Sequence, residues 1–234
     1  MNLLHSFLLR FPNLYATFIH LRKYPNFEKI LYLRTIKRGD IVLDIGANRG
    51  YFTSLFSKLV SKHGQVHAFE PIPETYELLL ENTRRLMPNI KPNNFAVGQK
   101  KEKASISYDI NDLEKASLIH SCTSMAKQIE TEIIPLDEYV QDNDLSRLDF
   151  VKCDVEGYEL QALKGMKRTL SEFTPQLSIE VTINLEDRLS LFSFLKDLGY
   201  DSFKIIEKGF PDYQECSNGV QDYFYLYAFS SKAS

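Results

Sequence analysis

The sequence predicts an α/β fold with a doubly wound, mostly parallel sheet, on three observations. Apolar segments typical of buried strands alternate along the chain with amphipathic segments typical of helices. A glycine-containing turn, residues 44–50, joins the first predicted strand to the first predicted helix. The last predicted strand, residues 222–229, is rich in aromatic residues. Regular alternation of this kind is typical of sheets that carry helices on both faces.

Local signals predict the individual elements. The β-branched run at 41–43 predicts a buried first strand, and apolar residues at helical spacing over 52–59 predict the helix after the turn. Pro71 ends the second strand because it has no N–H to donate, and Gly199 stops the last helix. Strands are predicted at 41–45, 65–70, 92–97, 148–153, 176–182, 202–207 and 222–229. Helices are predicted at 51–61, 73–86, 136–142, 157–171 and 186–198.

One region departs from this alternation. Residues 104–108 and 129–134 each alternate polar with apolar side chains, which predicts a two-stranded insertion within residues 100–135. The polar segment between these strands, residues 109–127, is predicted to lie near the ligand-binding edge of the sheet and to influence ligand choice, because loops on a rigid scaffold often carry specificity. A surface hairpin without ligand contact is the alternative.

The composition fits one globular domain with a sizeable core. The chain has 234 residues, of which 44% are hydrophobic, and a net charge of −3 with a pI near 6.0. Because this balance gives no global attraction for polyanions, no nucleic-acid partner is expected. Cys122, Cys153 and Cys216 are an odd and widely spaced set. They favour reduced thiols in a cytoplasmic protein over a disulfide framework or a zinc site.

The first part of the chain differs from the remainder. Residues 1–38 are interpreted as a helical extension that precedes the main domain, residues 39–234. Residues 1–24 contain no acidic residue, and polar side chains and a proline interrupt their apolar run, so neither a signal peptide nor a membrane span is expected. The segment is either a helical cap packed on the core or a basic amphipathic helix in peripheral contact with a membrane. We favour the cap, because apolar helical faces more often belong to a core.

The turn at residues 44–50 has the chemistry of a ligand-binding loop. Gly46 and Gly50 permit close approach of backbone and ligand, at the strand end where open α/β sheets bind ligands. Asp44 places a negative charge there, which suits an ammonium group rather than a pyrophosphate. Glu70 follows Gly50 by 20 residues, a spacing typical of an acidic residue that binds ribose hydroxyls. The pattern therefore predicts a ligand that combines a nucleoside with an amino acid.

Further motifs follow in order and carry a family resemblance. They are Phe69-Glu70-Pro71, residues 94–98, residues 134–137 and, most specific, the block Asp154-Val155-Glu156-Gly157-Tyr158-Glu159. Together with residues 42–48, these motifs resemble the FkbM-type family of S-adenosylmethionine-dependent methyltransferases over roughly residues 39–229. The resemblance implies a Rossmann-like seven-stranded sheet of the class I methyltransferase type, with an antiparallel last strand. It also implies S-adenosylmethionine as the cofactor.

The residues expected to bind this cofactor come from several parts of the chain. Asp44 would bind the ammonium group, and Glu70 would accept hydrogen bonds from both ribose hydroxyls. The resemblance places Ala96 beside the adenine, with Asn94 and Val97 as alternatives. The full predicted set is Asp44, Gly46, Ala47, Asn48, Gly50, Phe52, Thr53, Glu70, Pro71, Asn94, Ala96 and Asp154.

Three carboxylates, Asp154, Glu156 and Glu180, are the candidate catalytic residues. A carboxylate near the methyl group would remove the proton of an attacking hydroxyl, although alignment of the reacting atoms also supplies rate. Asp154, Glu156 and Glu159 lie within six positions, which is also compatible with a divalent metal. Glu180 and Asn184 could add ligands to it. We predict no metal, because Glu156 and Glu159 fall at a helix start, where negative charge is favoured anyway.

The expected function is transfer of a methyl group to oxygen on a glycan or small natural product, as the resemblance implies. One alternative is a non-catalytic protein that binds S-adenosylmethionine. Another is a nicotinamide-dependent dehydrogenase on a similar sheet, but Gly46 and Gly50 with Asn48 between them do not give the Gly-x-Gly-x-x-Gly spacing of a dinucleotide-binding turn.

Overall fold

The computed structural model describes residues 8–22, 24–86, 88–109, 112–117, 126–181, 185–213 and 224–231. Its strands are β1 (Ile41–Ile45), β2 (Gln65–Phe69), β3 (Ile90–Asn93), β4 (Ala96–Val97), β5 (Glu102–Asp109), β6 (Asp112–Ser117), β7 (Ala126–Ile134), β8 (Phe150–Cys153), β9 (Gln176–Val181), β10 (Ser202–Ile205) and β11 (Phe224–Phe229). Its α-helices are α1 (Pro12–His20), α2 (Phe27–Thr35), α3 (Tyr51–Val60), α4 (Pro73–Thr83), α5 (Leu136–Asp142), α6 (Glu159–Lys164), α7 (Lys167–Phe173) and α8 (Leu185–Asp197). A short 3₁₀ turn, Ser61–His63, follows α3.

Seven strands form the central sheet, in the order β10-β11-β9-β8-β1-β2-β3. All neighbours from β9 to β3 pair in parallel, whereas β11 runs antiparallel between β9 and β10. The predicted seven-stranded sheet with an antiparallel last strand is therefore confirmed. The chain leaves β1 toward β3 on one side and returns with β8 on the other. The carboxyl ends of β1 and β8 consequently meet at the switch point where open α/β sheets bind ligands.

The two faces of the sheet carry separate apolar cores. Because successive strand residues point to opposite faces, Val42 belongs to one core and Leu43 to the other. Helices α1 to α3 cover the Val42 face, and α5 to α8 cover the Leu43 face. Cys153 is fully buried on the Leu43 face, as its predicted strand position requires. These layers hold the switch point between two rigid cores.

The N-terminal helix α1 packs on the core with one side and is exposed on the other. Its buried residues are Tyr15, Ala16 and Ile19, which join the core beneath α2 and α3. Its large exposed apolar neighbours are Phe11, Leu14, Phe18 and Leu21. Packing on the core is what the cap interpretation predicts, and the outer side is the one that a membrane contact would use. Among the described helices, none has the length and apolarity needed to cross a bilayer.

The structure differs from the predicted elements at the insertion. The predicted strand 92–97 is two strands, because β3 ends at Asn93 and β4 pairs with β7 in a second sheet. That sheet has the order β4-β7-β5-β6. Strands β5 and β7 are the predicted antiparallel pair, and β4 and β6 extend it from two strands to four. Much of the predicted specificity loop, residues 109–127, lies outside the described residues.

The predicted helix 157–171 is also divided. It forms α6 and α7, with Gly165 between them. A Cβ added at Gly165 would lie 1.9 Å from the carbonyl oxygen of Gly98, so the chain packs too closely here for any other residue. A tertiary contact between distant glycines therefore marks the helix break, and local helical propensity does not reveal it.

Candidate active site

A cavity of about 640 Å³ opens at the carboxyl ends of β1, β2, β8 and β9. Its volume lies in the range usual for pockets that hold cofactor-sized ligands. The predicted site residues in its lining are Asp44, Gly46, Ala47, Asn48, Phe52, Glu70, Pro71, Ala96, Asp154, Glu156 and Glu180. The fold thus brings together residues that span well over half of the chain.

Asp44 lies at the end of β1 and is almost completely buried, with 1% of its surface exposed. Its Oδ2 accepts a hydrogen bond from the Thr53 hydroxyl at 2.6 Å. Its Oδ1 has no hydrogen-bond partner among the described residues. Burial raises the pKa of Asp44 to about 6, although Lys152 opposes the shift. A buried acceptor without a donor is costly unless a ligand completes it, so this oxygen marks a place for a cationic or hydrogen-bonding group.

The turn after β1 packs directly on the end of β8. Gly46 has a φ of +77°, and a Cβ there would lie 1.8 Å from the carbonyl oxygen of Asp154. Asn48 also adopts a left-handed conformation, with a φ of 48°, which asparagine tolerates better than most residues. Its side-chain Oδ1 accepts the N–H of Arg49 at 2.7 Å. The predicted cofactor turn and the predicted catalytic strand are therefore fixed to each other through Gly46.

Glu70 follows β2 and forms part of the backbone scaffold as well as the cavity wall. Its Oε2 accepts the N–H of Asn48 at 3.0 Å, and its Oε1 accepts the N–H of Ile72 at 3.0 Å. Burial raises the pKa of Glu70 to about 7. A carboxylate has about four lone-pair sites, so each oxygen keeps capacity for one further donor. The residue can hold two turns and still bind a diol.

Three predicted cofactor residues lie outside the cavity lining and act on its framework. Thr53 donates to Asp44, as described above. Gly50 begins α3 in a left-handed conformation, and a Cβ there would lie 2.7 Å from Leu79 Cδ1, so its role is close helix packing. The Asn94 side chain donates to the carbonyl of Glu70 at 2.9 Å and holds the segment that follows β2. Their assignment as direct cofactor ligands stays a prediction that this placement does not favour.

An apolar slot forms the part of the cavity between β2 and the second sheet. Ala96 and Val97, two of the three candidates for the adenine contact, line it. Sequence reasoning missed the two aromatic rings beside them, Phe69 and Phe95, whose centroids lie 5.4 Å apart. It also missed Ile106, which reaches the slot from the insertion. An apolar slot with aromatic rings in its wall suits a heteroaromatic ring such as adenine.

The candidate catalytic carboxylates form a cluster. One carboxylate oxygen from each of Asp154, Glu156 and Glu180 lies within 4.8 Å of the others. Burial and then the Asp154 charge raise the pKa of Glu180 well above its usual range, so Glu180 holds a proton at neutral pH. Burial alone would raise the pKa of Asp154 as well, but the charge and hydrogen bond of Lys152 and a hydrogen bond from Glu180 together outweigh burial and lower that pKa. The cluster therefore contains one charged and one neutral carboxyl group side by side, together with Glu156.

Lys152 is the functional candidate that sequence reasoning missed. Its side chain is buried in β8, and its Nζ donates to Asp154 Oδ2 at 2.6 Å and lies 5.4 Å from the centre of the Phe52 ring. Burial opposes its charge, but Asp154, Asp44 and Glu28 outweigh this effect and raise the pKa of Lys152. The available signal was a lysine inside an apolar strand two residues before Asp154, because buried lysines are almost always paired.

Glu159 holds the backbone of the turn before α6 and is not part of this cluster. It opens α6 and is fully buried, and its Oε1 accepts the N–H groups of Val155 and Gly157 at 3.2 and 2.9 Å. It closes the turn that carries Glu156, whose φ of 52° is strained for a residue other than glycine. Two carboxylates at one helix start therefore point in different directions: Glu159 toward the turn and Glu156 toward the cavity.

The fold and the site together define an α/β protein whose cavity, at the switch point of a doubly wound sheet, suits a nucleoside-type ligand. Residues 44–202 match the family described as the methyltransferase FkbM domain. Because this match covers more than half of the chain, the chain belongs to the FkbM methyltransferase domain family. The family resemblance deduced from the motifs is thereby confirmed.

Two curated relatives are similar to this chain. The hexuronic acid methyltransferase AglP of Haloferax volcanii is 31% identical over 140 residues, which are 60% of this chain and 55% of that protein. The 31-O-demethyl-FK506 methyltransferase FkbM of Streptomyces tacrolimicus is 25% identical over 169 residues, covering 58% of this chain and 64% of that protein. The chain thus spans between half and two thirds of the length of these relatives.

A solved structure supports the fold. The crystal structure of a methyltransferase FkbM from Methylobacillus flagellatus KT matches with a TM-score of 0.57 at 16% identity. The match covers 96% of this chain and 60% of that chain. At this level of identity the likeness concerns the arrangement of strands and helices alone.

Proposed function

We propose that this chain is an S-adenosylmethionine-dependent methyltransferase that methylates a hydroxyl group on a glycan or a small natural product. The observation that carries the proposal is the buried Oδ1 of Asp44, a cavity-lining residue, which has no hydrogen-bond donor among the described residues. The ammonium group of the cofactor would complete it. Glu70 has lone pairs left for the ribose hydroxyls, and the slot beside Phe95 and Ala96 would take the adenine.

When bound, S-adenosylmethionine supplies an electrophilic methyl group on a sulfonium. The chain's own residues bind and orient the two reactants. With Asp44, Glu70 and the apolar slot assigned to the cofactor, the end of the cavity near Lys152 and Asp154 is left for the acceptor hydroxyl. Fixing the two reactants in this way accounts for much of the rate enhancement expected of such a site.

The proton of the acceptor hydroxyl would pass to Asp154 or Glu156. Glu180 is the weaker candidate, because its raised pKa leaves it protonated at neutral pH. Asp154 is a weak base, because Lys152 lowers its pKa. A weak base is sufficient here, because the hydroxyl becomes strongly acidic as its oxygen acquires the methyl group. The chain then needs only a carboxylate oriented toward the attacking oxygen.

The names of the relatives support the choice of acceptor. The Haloferax protein is named for a hexuronic acid and the Streptomyces protein for a position on FK506 that carries oxygen. We therefore propose acceptors that are sugars or polyhydroxylated natural products. A divalent metal stays an alternative partner for the carboxylate cluster. However, the Lys152 ammonium and the proton on Glu180 already offset the negative charge of the cluster, which weakens the case for a metal.

A methyl-transfer screen tests the function and the metal together. The purified chain is incubated with methyl-labelled S-adenosylmethionine and a panel of uronic acids, oligosaccharides and macrolides, with and without EDTA. We expect labelled product from a hydroxylated acceptor and no loss of rate with EDTA. Binding of S-adenosylmethionine in calorimetry without product from any acceptor would favour the non-catalytic alternative. Binding of a nicotinamide cofactor instead would favour the dehydrogenase, and a rate restored by magnesium would establish a metal site.

Cofactor affinity should depend on pH through Asp44 and Glu70. Both bind in the ionised form, and burial raises their pKa values to about 6 and about 7. As the pH falls below 7, Glu70 takes up a proton that the cofactor must displace, and Asp44 follows below 6. The dissociation constant of S-adenosylmethionine should therefore rise by about tenfold per pH unit for each protonated group. Calorimetry between pH 8 and 5.5 measures this rise.

The matched control for this pH dependence is Glu70→Gln, which keeps the shape and one acceptor oxygen but cannot titrate. Its affinity should be lower at pH 8 and lack the step near pH 7. An affinity that stays constant from pH 8 to 5.5 in the folded wild-type chain would contradict the assignment of both carboxylates to the cofactor.

A further inference from the structure

A second cleft adjoins the proposed active site and has the opposite charge. It has a volume of about 680 Å³ and lies between α2, α3 and α4. Four cationic side chains line it: Lys29, Arg49, Lys58 and Arg85. No carboxylate is found among the described residues of its wall. We call it the basic cleft.

The basic cleft and the proposed active site are neighbours that share part of their walls. Arg49 and Tyr51 line both cavities. Tyr51 has 64% of its surface exposed, so a ligand that crossed the boundary would cover a large aromatic side chain. One extended molecule can therefore place its reacting group near Asp154 and a second group in the basic cleft.

Three of the four cations in the basic cleft take part in no ion pair with a described carboxylate. Across the described ranges, the ion pairs involve other lysines and arginines, and none includes Lys29, Arg49 or Arg85. The Lys29 ammonium donates to the hydroxyl of Tyr15 at 3.2 Å. Burial and then the charge of Lys29 lower the pKa of Lys58, which shows that the two ammonium groups repel each other. An incoming anion would relieve this repulsion.

The two cavities favour ligand groups of different charge. The wall of the proposed active site contains Asp44, Glu70, Asp154 and Glu156 against the cations Arg49 and Lys152. Carboxylates therefore outnumber cations there, which disfavours an anionic group on the acceptor. The basic cleft offers two guanidinium groups, which bind phosphate and carboxylate oxygens through paired hydrogen bonds. An acceptor that carries a negative charge at some distance from its reacting hydroxyl matches both cavities at once.

We propose that the basic cleft binds an oxyanion group, phosphate or carboxylate, of the methyl acceptor. The acceptor class is then an acidic sugar or a phosphate-linked glycan. This proposal rests on the proposed function for the identity of the ligand as an acceptor. The cleft itself binds oxyanions whether or not methyl transfer takes place, so the two proposals fail separately.

The test is calorimetric titration of the full chain with inorganic pyrophosphate and, separately, with sodium glucuronate. We expect at least one of the two to bind to the wild-type chain. The double variant Lys58→Gln/Arg85→Ala should lose at least about tenfold in that affinity. Arg84→Ala is the matched control, because Arg84 is the exposed neighbour on the same helix end and lies outside both cavities. S-adenosylmethionine affinity, measured in parallel, should be the same in all three proteins.

The outcomes are distinct. Binding of pyrophosphate alone identifies a phosphate-linked acceptor, and binding of glucuronate alone identifies an acidic sugar. Failure of the wild-type chain to bind either probe, or an equal loss in Arg84→Ala, overturns the proposal. Failure to bind S-adenosylmethionine while an oxyanion binds would instead overturn the proposed function. If the double variant does not fold, Arg85→Gln alone should give a smaller loss in the same direction.

Discussion

Asp44→Asn is expected to weaken the binding of S-adenosylmethionine by roughly 10- to 100-fold, because a charge-assisted hydrogen bond contributes about 1.5–3 kcal/mol. The new amide keeps an oxygen for the Thr53 hydroxyl, which lies 2.6 Å from Oδ2 in the wild-type chain. It cannot offer an anionic oxygen to the ammonium group. Isothermal titration calorimetry at pH 8, where Asp44 is ionised, measures the loss.

The stability of this variant should move in the other direction. Burial raises the pKa of Asp44 to about 6 in the folded chain. Above that pH the carboxylate is ionised in both states, and its burial lowers the free energy of unfolding. Removing the charge should therefore leave the unliganded protein at least as stable in a thermal melt. Thr53→Val is the control, because it removes the hydroxyl donor and keeps the carboxylate, and its loss of affinity should be smaller. An Asp44→Asn chain that binds S-adenosylmethionine as tightly as the wild type would exclude the ammonium assignment.

Asp154→Asn should lower kcat by about 10²- to 10⁴-fold, the usual contribution of a positioned proton acceptor. The variant also deprives the buried Lys152 ammonium of the anionic partner that lies 2.6 Å away, so a lower melting temperature is expected as well. Rates are therefore compared at saturating cofactor, on protein shown to be folded at the assay temperature.

Lys152→Gln separates the two effects of Asp154. It breaks the same ion pair, which lies in a buried part of the site, but leaves the carboxylate in place. Its melting temperature should fall about as far, whereas its kcat should fall less. Equal losses of kcat in the two variants would mean that the ion pair shapes the site and that Asp154 is not the proton acceptor. Glu156 would then be the remaining candidate.

The fold could be predicted largely from the sequence because its signals are local. A few neighbouring residues are enough to predict the apolar strand β1, the glycine turn after it and the aromatic strand β11. The break between β3 and β4 could not be predicted in this way. It depends on the pairing of Ala96 and Val97 with β7, more than thirty residues further along the chain. Strand pairing over that distance has no local signature.

The site residues likewise divide into those that local sequence signals predict and those that only the fold reveals. Asp44 lies near the end of β1 and Glu70 directly follows β2, so both positions could be predicted from local signals, and both residues line the cavity. Gly50 and Asn94 have the expected residue types and positions, but they act on neighbouring backbone and side chains instead of the cavity. Lys152 was missed because its functional position depends on three carboxylates that only the fold brings near it. They are Asp44, Asp154 and Glu28, which keep the buried ammonium charged.

Strand β4 belongs to the second sheet, and this membership has a consequence for engineering. Ala96 and Val97 form one wall of the apolar slot, and their only strand partner among the described residues is β7. The insertion therefore supports the wall of the cavity that the proposed function assigns to the cofactor. Exchanging the whole insertion between family members would disturb cofactor binding and specificity together. A graft meant to change acceptor choice should keep the paired lengths of β5 and β7 and replace only the segment beyond Tyr108 and Lys127.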